Sequence, residues 1–105
     1  VSGYHLSKPA EDDLRGIFLY TLETWGEEQV PVYLNLVETA LQRIAENPMT
    51  FGSKTRDYVV PGCRTFRSGK HIIVYRINGG IVEIARILHE SMDSEQHVGD
   101  RDFES

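Results

Sequence analysis

Arg86 and His89 interrupt an otherwise apolar stretch: Ile81, Val82, Glu83, Ile84, Ala85, Arg86, Ile87, Leu88, His89. A cation and an imidazole among aliphatic side chains cost free energy unless something pairs with them. Upstream stand Arg64, Arg67 and Lys70, with His71 beside them; Met92 and Asp93 follow downstream. Guanidinium and ammonium groups hold anionic oxygens, and an imidazole exchanges its proton near neutral pH. Together these types could grip a phosphate or an acidic surface and move a proton. A plainer account exists for each of them. Arg86 can pair with Glu83 or with a carboxylate near the C-terminal end, and His89 can bond to backbone.

Other chemistry has weaker support. His5, His71, His89 and His97 are scattered and lack metal-ligand spacing. Cys63 is the sole cysteine, so no intramolecular disulfide forms, and no neighbouring base would activate it. Gly79 and Gly80 read as a turn rather than a phosphate loop. No cofactor is implied.

The positioning elements follow from periodicity. Tyr4, His5 and Leu6 form a short extended segment. Ser7 then occupies an N-cap position, Pro9 falls in the first helical turn, and Glu11, Asp12 and Asp13 sit near the positive dipole end. Leu14, Ile17, Phe18, Leu22 and Trp25 keep a helical period until Gly26. A second helix carries Val30, Tyr33, Leu34, Val37, Leu41 and Ile44, and ends at Asn47 and Pro48. Pro31 must lie in its first turn, so that helix begins at Glu28 or later. Trp25 and Tyr33 read as packing the hairpin these helices make.

Residues 49–57 show no period and read as a loop. Extended segments follow at 58–60, 63–67, 70–77 and 81–88, broken by Pro61-Gly62, Ser68-Gly69 and Asn78-Gly79-Gly80. Residues 91–97 are expected as a short helix. The expected fold is α+β, in the order β-α-α-β-β-β, an antiparallel sheet covered on one face by an αα-hairpin. Ile72 and Val74 point one way, Ile73, Tyr75 and Ile77 the other, so the second sheet face is expected to be apolar and bare. Residues 1–98 are expected to form one domain, with 99–105 a polar, disordered tail.

A chain of 105 residues with 40% hydrophobic and 26% charged side chains suits one globular domain with a modest core. The formal net charge of −5 is unevenly spread. Residues 1–50 hold three basic against eight acidic side chains, whereas Lys54, Arg56, Arg64, Arg67 and Lys70 meet only Asp57 in their segment. One side of the domain is thus expected to be basic, the other acidic. A pI of about 5.3 argues against a dedicated nucleic-acid binder. No apolar run is long enough to span a membrane, residues 1–6 lack the pattern of a signal peptide, and the cytoplasm is the expected compartment.

Several strings together carry a resemblance: residues 6–14 (LSKPAEDDL), Tyr20 and Thr21 followed by Trp25, Tyr33-Leu34, Asn47-Pro48, residues 61–66 (PGCRTF), His71 with Tyr75-Arg76, and residues 86–89 (RILH) with Met92-Asp93. In that order and spacing the chain resembles the ParE-type toxins of bacterial type II toxin–antitoxin pairs, within the RelE/ParE superfamily, over residues 4–97.

The resemblance implies a cytoplasmic toxin that inhibits DNA gyrase by protein–protein binding and is neutralised by a cognate ParD-like antitoxin, without catalysis, cofactor, membrane or direct sequence-specific nucleic-acid binding. The expected target-facing set is Arg64, Arg67, Lys70, Arg86, His89, Met92 and Asp93. The bare sheet face and the helical groove are the expected antitoxin site, with Tyr20, Tyr33, Leu34, Val59, Ile72 and Val74. One alternative is a RelE-like ribosome-dependent mRNA endoribonuclease using Arg86 and His89. Its relatives often place a tyrosine near the C-terminus, and here the last tyrosine is Tyr75. Another is an antitoxin-binding module that is no longer toxic.

Overall fold

The computed structural model describes residues 3–57 and 60–91. The elements are β1 (Tyr4–Leu6), α1 (Lys8–Trp25), α2 (Gln29–Glu46), β2 (Lys54–Thr55), β3 (Arg64–Ser68), β4 (His71–Asn78) and β5 (Ile81–His89). The α+β architecture agrees with the expected one. The five strands form a single sheet in the order β1-β5-β4-β3-β2, antiparallel throughout except that β1 joins the edge parallel to β5. The chain runs straight from β1 into α1, and the helical hairpin carries it across the sheet to β2 at the opposite edge.

Helix α1 starts at Ser7, whose Oγ accepts from Ala10 N–H at 3.1 Å and donates to Ala85 O at 2.8 Å. The Ser7 N–H also donates to Ile84 O at 3.0 Å. One residue thus caps the helix and fastens it to β5 just beyond the end of the β1 pairing. Ser7 is 3% exposed, so Ser7→Ala removes the cap and strands the Ala85 carbonyl. The expected cost is about 1–3 kcal/mol, read from urea denaturation. Helix α2 has Pro31 in its first turn, where the missing N–H has no intrahelical partner to lose.

The helices cover one sheet face. Ala10 and Ile17 of α1 and Val37, Ala40, Leu41 and Ile44 of α2 pack on Ile73 and Tyr75 of β4 and Val82, Ile84 and Ile87 of β5. The register slips between Val74 and Tyr75, leaving Ala85 of β5 as an extra residue. Such a bulge resets the in-out alternation, so Ile84 and Ile87 both face the helices while Ala85 and Leu88 both face the opposite side.

The opposite face departs from expectation. Val74, Ala85 and Leu88 are essentially inaccessible and cluster with Val60 and Cys63. The chain between β2 and β3 folds back over the sheet there, held by Arg56 N–H to Cys63 O at 2.8 Å and Gly62 N–H to Asp57 Oδ1 at 2.9 Å. That side is therefore sealed at its centre by the chain's own residues. A two-residue strand also stands within the expected loop, at Lys54–Thr55, while Val60 lies in a bend rather than a strand. Tyr58, Val59, the expected helix over 91–97 (apart from Ser91, a turn residue) and the tail over 99–105 lie outside the described residues.

Candidate functional site

Two concavities flank the helical hairpin. The first is a groove of about 430 Å³ between α1 and α2, floored by Tyr4 and Leu6 of β1. Leu14 and Phe18 of α1 and Leu34, Val37 and Leu41 of α2 form its walls, with Glu11, Arg15 and Glu38 at the rim. Its shape follows from spacing: residues three and four apart on each helix share one stripe, and the two stripes do not fully close on each other. Phe18 remains 40% exposed. Exposed apolar side chains continue on the helices outside the groove, at Leu19, Val32 and Leu36.

The second is a cleft of about 320 Å³ at the joint of the hairpin, where α1 ends, α2 begins and the β3–β4 turn meets them. Tyr20, Trp25, Gln29, Tyr33, Lys70, His71 and His89 line it. Gly69 sets this meeting point. It has a φ of +59°, and a Cβ there would lie 3.0 Å from Leu36 Cδ2 and 3.1 Å from Tyr33 Oη, so turn conformation and close approach both require glycine. Tyr33 Oη bonds His71 Nδ1. The Tyr33 and His71 rings meet edge-on with centroids 5.5 Å apart, and His71 and His89 repeat that arrangement at 5.5 Å. His89 Nδ1 in turn accepts the Ser91 N–H at 3.2 Å.

Burial pushes the His71 pKa below the usual 6.5, and His89 beside it adds to that, while Asp13 and Glu90 oppose. Burial raises the Tyr33 phenol, with Glu90 adding and the Lys70 N–H opposing. The Cys63 thiol is pushed up to about 11, chiefly by burial and further by Asp57, which keeps it a protonated, unreactive group near neutrality. The His71 shift has a definite sign. Just below pH 6.5 the unfolded chain binds a proton that the folded His71 refuses, so its contribution to stability is complete above that pH and is lost as pH falls. Denaturation of wild type and His71→Gln between pH 7.5 and 5.5 should show the wild type losing more stability on acidification.

The residues expected to face a target do not form one set. Arg64 points to the helix side and donates from Nε to Ser53 Oγ at 2.8 Å. Ser53 lies 2.7 Å from Tyr75 Oη, which donates to Pro48 O. Arg64 therefore fastens the 47–53 loop to the sheet. Arg67, one step out of phase on β3, lies on the opposite face and pairs with Glu90 at 2.7 Å. Arg86 reaches Asp13 of α1 through two bonds, Nε to Oδ2 at 2.7 Å and Nη2 to Oδ1 at 2.9 Å. Glu83, the partner expected for Arg86, pairs instead with Arg76 at 2.9 Å. Arg67, Lys70 and His89 do gather at one end of the sheet, where Glu90 N–H donates to Lys70 O at 2.8 Å. Met92 and Asp93 lie outside the described residues.

The expected antitoxin residues divide as well. Leu34 is in the groove, Tyr20 and Tyr33 line the joint cleft, and Ile72 is half-buried on the far face. Val74 is fully buried and has no surface to offer, because the fold-back of the 60–63 segment covers it; Val59 lies outside the described residues. Sequence reasoning missed Phe18 and Leu14 as groove walls, though their helical spacing pointed there. It also missed the pairing of His71 with Tyr33, which no local spacing signals. Among the described residues no group of three or more His, Cys, Asp or Glu could hold a metal, and no helix is long and apolar enough to cross a membrane.

Comparison with known proteins places this arrangement. Residues 4–94 match the family model for the ParE toxin of the parDE type II toxin–antitoxin system. The chain is 36% identical over 96 residues to Toxin ParE1 of Caulobacter vibrioides, covering 91% of this chain and 97% of that one. It is 34% identical over 98 residues to Toxin ParE1 of Mycobacterium tuberculosis, covering 92% and 98%, and 33% identical over 102 residues to Toxin ParE of Escherichia coli, covering 96% and 97%. A solved structure described as the chromosomal ParDE TA system from P. aeruginosa superposes with a TM-score of 0.73 at 19% identity, covering 85% of this chain and 95% of that chain.

Proposed function

The chain belongs to the ParE toxin family of type II toxin–antitoxin systems, and on that premise we propose that it is a non-catalytic toxin that binds and disables DNA gyrase and is neutralised by a ParD-like antitoxin in the cytoplasm. The observation that carries the antitoxin half is the open groove between α1 and α2. An amphipathic helix laid into it would cover Phe18, Leu14 and Leu34, the mode by which apolar grooves take helical segments. Ordering such a segment on binding would make its release the controlling step for toxicity.

The target half rests on the end of the sheet where Arg67, Lys70 and His89 gather. Cations at a rim steer a protein partner of opposite charge and fix its orientation. The arrangement of the arginines supports binding over transcript cleavage. Cleavage needs a base, an acid and phosphate-holding cations around one point. Here Arg64 and Arg67 lie on opposite faces, and Arg86 is bound to Asp13.

Expression of the chain without its antitoxin should arrest growth and inhibit supercoiling by purified gyrase, and co-expression of the antitoxin should restore both. Growth arrest with intact supercoiling and cut transcripts would overturn the gyrase reading. Normal growth without antitoxin would leave an antitoxin-binding module only.

A further inference from the structure

The joint cleft holds two imidazoles whose proton positions follow from their neighbours. The Lys70 N–H donates to Tyr33 Oη at 3.3 Å, and the same oxygen bonds His71 Nδ1; when the phenol donates in that bond, Nδ1 is the acceptor. His89 Nδ1 accepts the Ser91 N–H at 3.2 Å, with Ser91 Oγ 2.8 Å away. A neutral imidazole that accepts at Nδ1 carries its proton on Nε2. With Tyr33 donating, both rings present an Nε2–H, and among the described residues neither Nε2 has a hydrogen-bond partner. Burial, and His89 beside it, favour the neutral form of His71.

The surroundings favour an anion. Lys70 brings an ammonium that has no ion pair among the described residues. The nearby carboxylates are already committed, Asp13 to Arg86 and to the Ile87 N–H, and Glu90 to Arg67. Helix α2 contributes Gln29 and no carboxylate to the wall. Two aromatic side chains, Tyr20 and Trp25, are 60% and 65% exposed beside these donors. A metal ion finds no free ring lone pair here, since both Nδ1 atoms are occupied.

We propose that this cleft binds a phosphate monoester carried on an aromatic or heteroaromatic group, the phosphate held by His71 Nε2, His89 Nε2 and the Lys70 ammonium, and the ring lying against Trp25 and Tyr20. Three donors match the three terminal oxygens of a phosphate monoester, whereas a carboxylate offers two. An exposed tryptophan supplies a stacking surface that inorganic phosphate would not use. This site is separate from the helical groove but shares Lys70 and His89 with the sheet end proposed to face gyrase; the titration below contains no gyrase, so its outcome and that of the supercoiling assay are read separately.

The test is a titration of the full chain at pH 7.5, following the His71 and His89 ring signals by NMR with His5 as the internal reference. Phenyl phosphate should move both rings saturably while His5 stays still. Inorganic phosphate and benzoate should each bind about tenfold more weakly, one lacking the ring and the other the third oxygen. Lys70→Ala and Trp25→Ala, both exposed positions that leave the core intact, should each weaken phenyl phosphate by a similar factor. Absence of saturable shifts, shifts shared equally by His5, benzoate binding as tightly as phenyl phosphate, or an unchanged affinity in Lys70→Ala would each overturn the proposal.

Discussion

Asp13→Ala should destabilise the protein by about 3–5 kcal/mol, the range for breaking one side of a largely buried ion pair. Asp13 closes the β5 edge beyond the end of β1. It takes two bonds from Arg86 and the Ile87 N–H at 2.9 Å. Its side chain is 15% exposed and that of Arg86 19%, so water cannot readily replace what is lost. Urea denaturation should show the midpoint falling by more than about 1 M, given the slope usual for small domains. Asp13→Asn keeps one acceptor and should lose less. A cost below about 1 kcal/mol would mean the pair is as weak as a surface bridge. The consequence for function is direct: loss of toxicity in an Arg86 variant has to be judged against its folding, because that arginine joins α1 to the sheet.

Phe18→Glu should weaken antitoxin binding by about thirtyfold or more, the ~2 kcal/mol that marks an interface hot spot. Phe18 walls the groove and is 40% exposed, so the substitution places a carboxylate where an apolar helix face would lie while leaving the folded chain intact. The rim already carries Glu11 and Glu38, which compounds the repulsion for an acidic segment. Calorimetry with the antitoxin's toxin-binding segment measures the affinity. In cells the variant should arrest growth even when the antitoxin is present. Unchanged affinity would move the antitoxin off the groove.

Much of the fold was legible because short-range rules dominate it. Ser7, Pro9 and Gly26 mark α1 by cap chemistry, Asn47 and Pro48 end α2, and Gly79 and Gly80 close a two-residue hairpin with φ values of +59° and +85°. The bulge at Ala85 was not legible as such. The bare sheet face was expected from Ile72 and Val74 against Ile73, Tyr75 and Ile77 on β4, an alternation that shows two apolar faces but not what covers the second. The fold-back of the 60–63 segment over Val74 was hidden for a related reason, since Val60 and Cys63 meet Val74, Ala85 and Leu88 only in three dimensions. The candidate site suffered most. Arg64, Arg67 and Arg86 share a residue type and a neighbourhood in sequence, yet strand alternation sends the first two to opposite faces, and Arg86 finds a partner 73 residues away. Pairing at that distance leaves no local signal.

The proposed toxicity depends on this chain acting by occupancy rather than turnover. Titrating it against a fixed amount of gyrase in a supercoiling assay, with a labelled transcript in the same tube, tests that most directly. Inhibition should rise in proportion to the chain added, level off near equimolar amounts, reverse on adding antitoxin and leave the transcript whole. Supercoiling that survives a large molar excess, while the transcript is cut by substoichiometric chain, would contradict it.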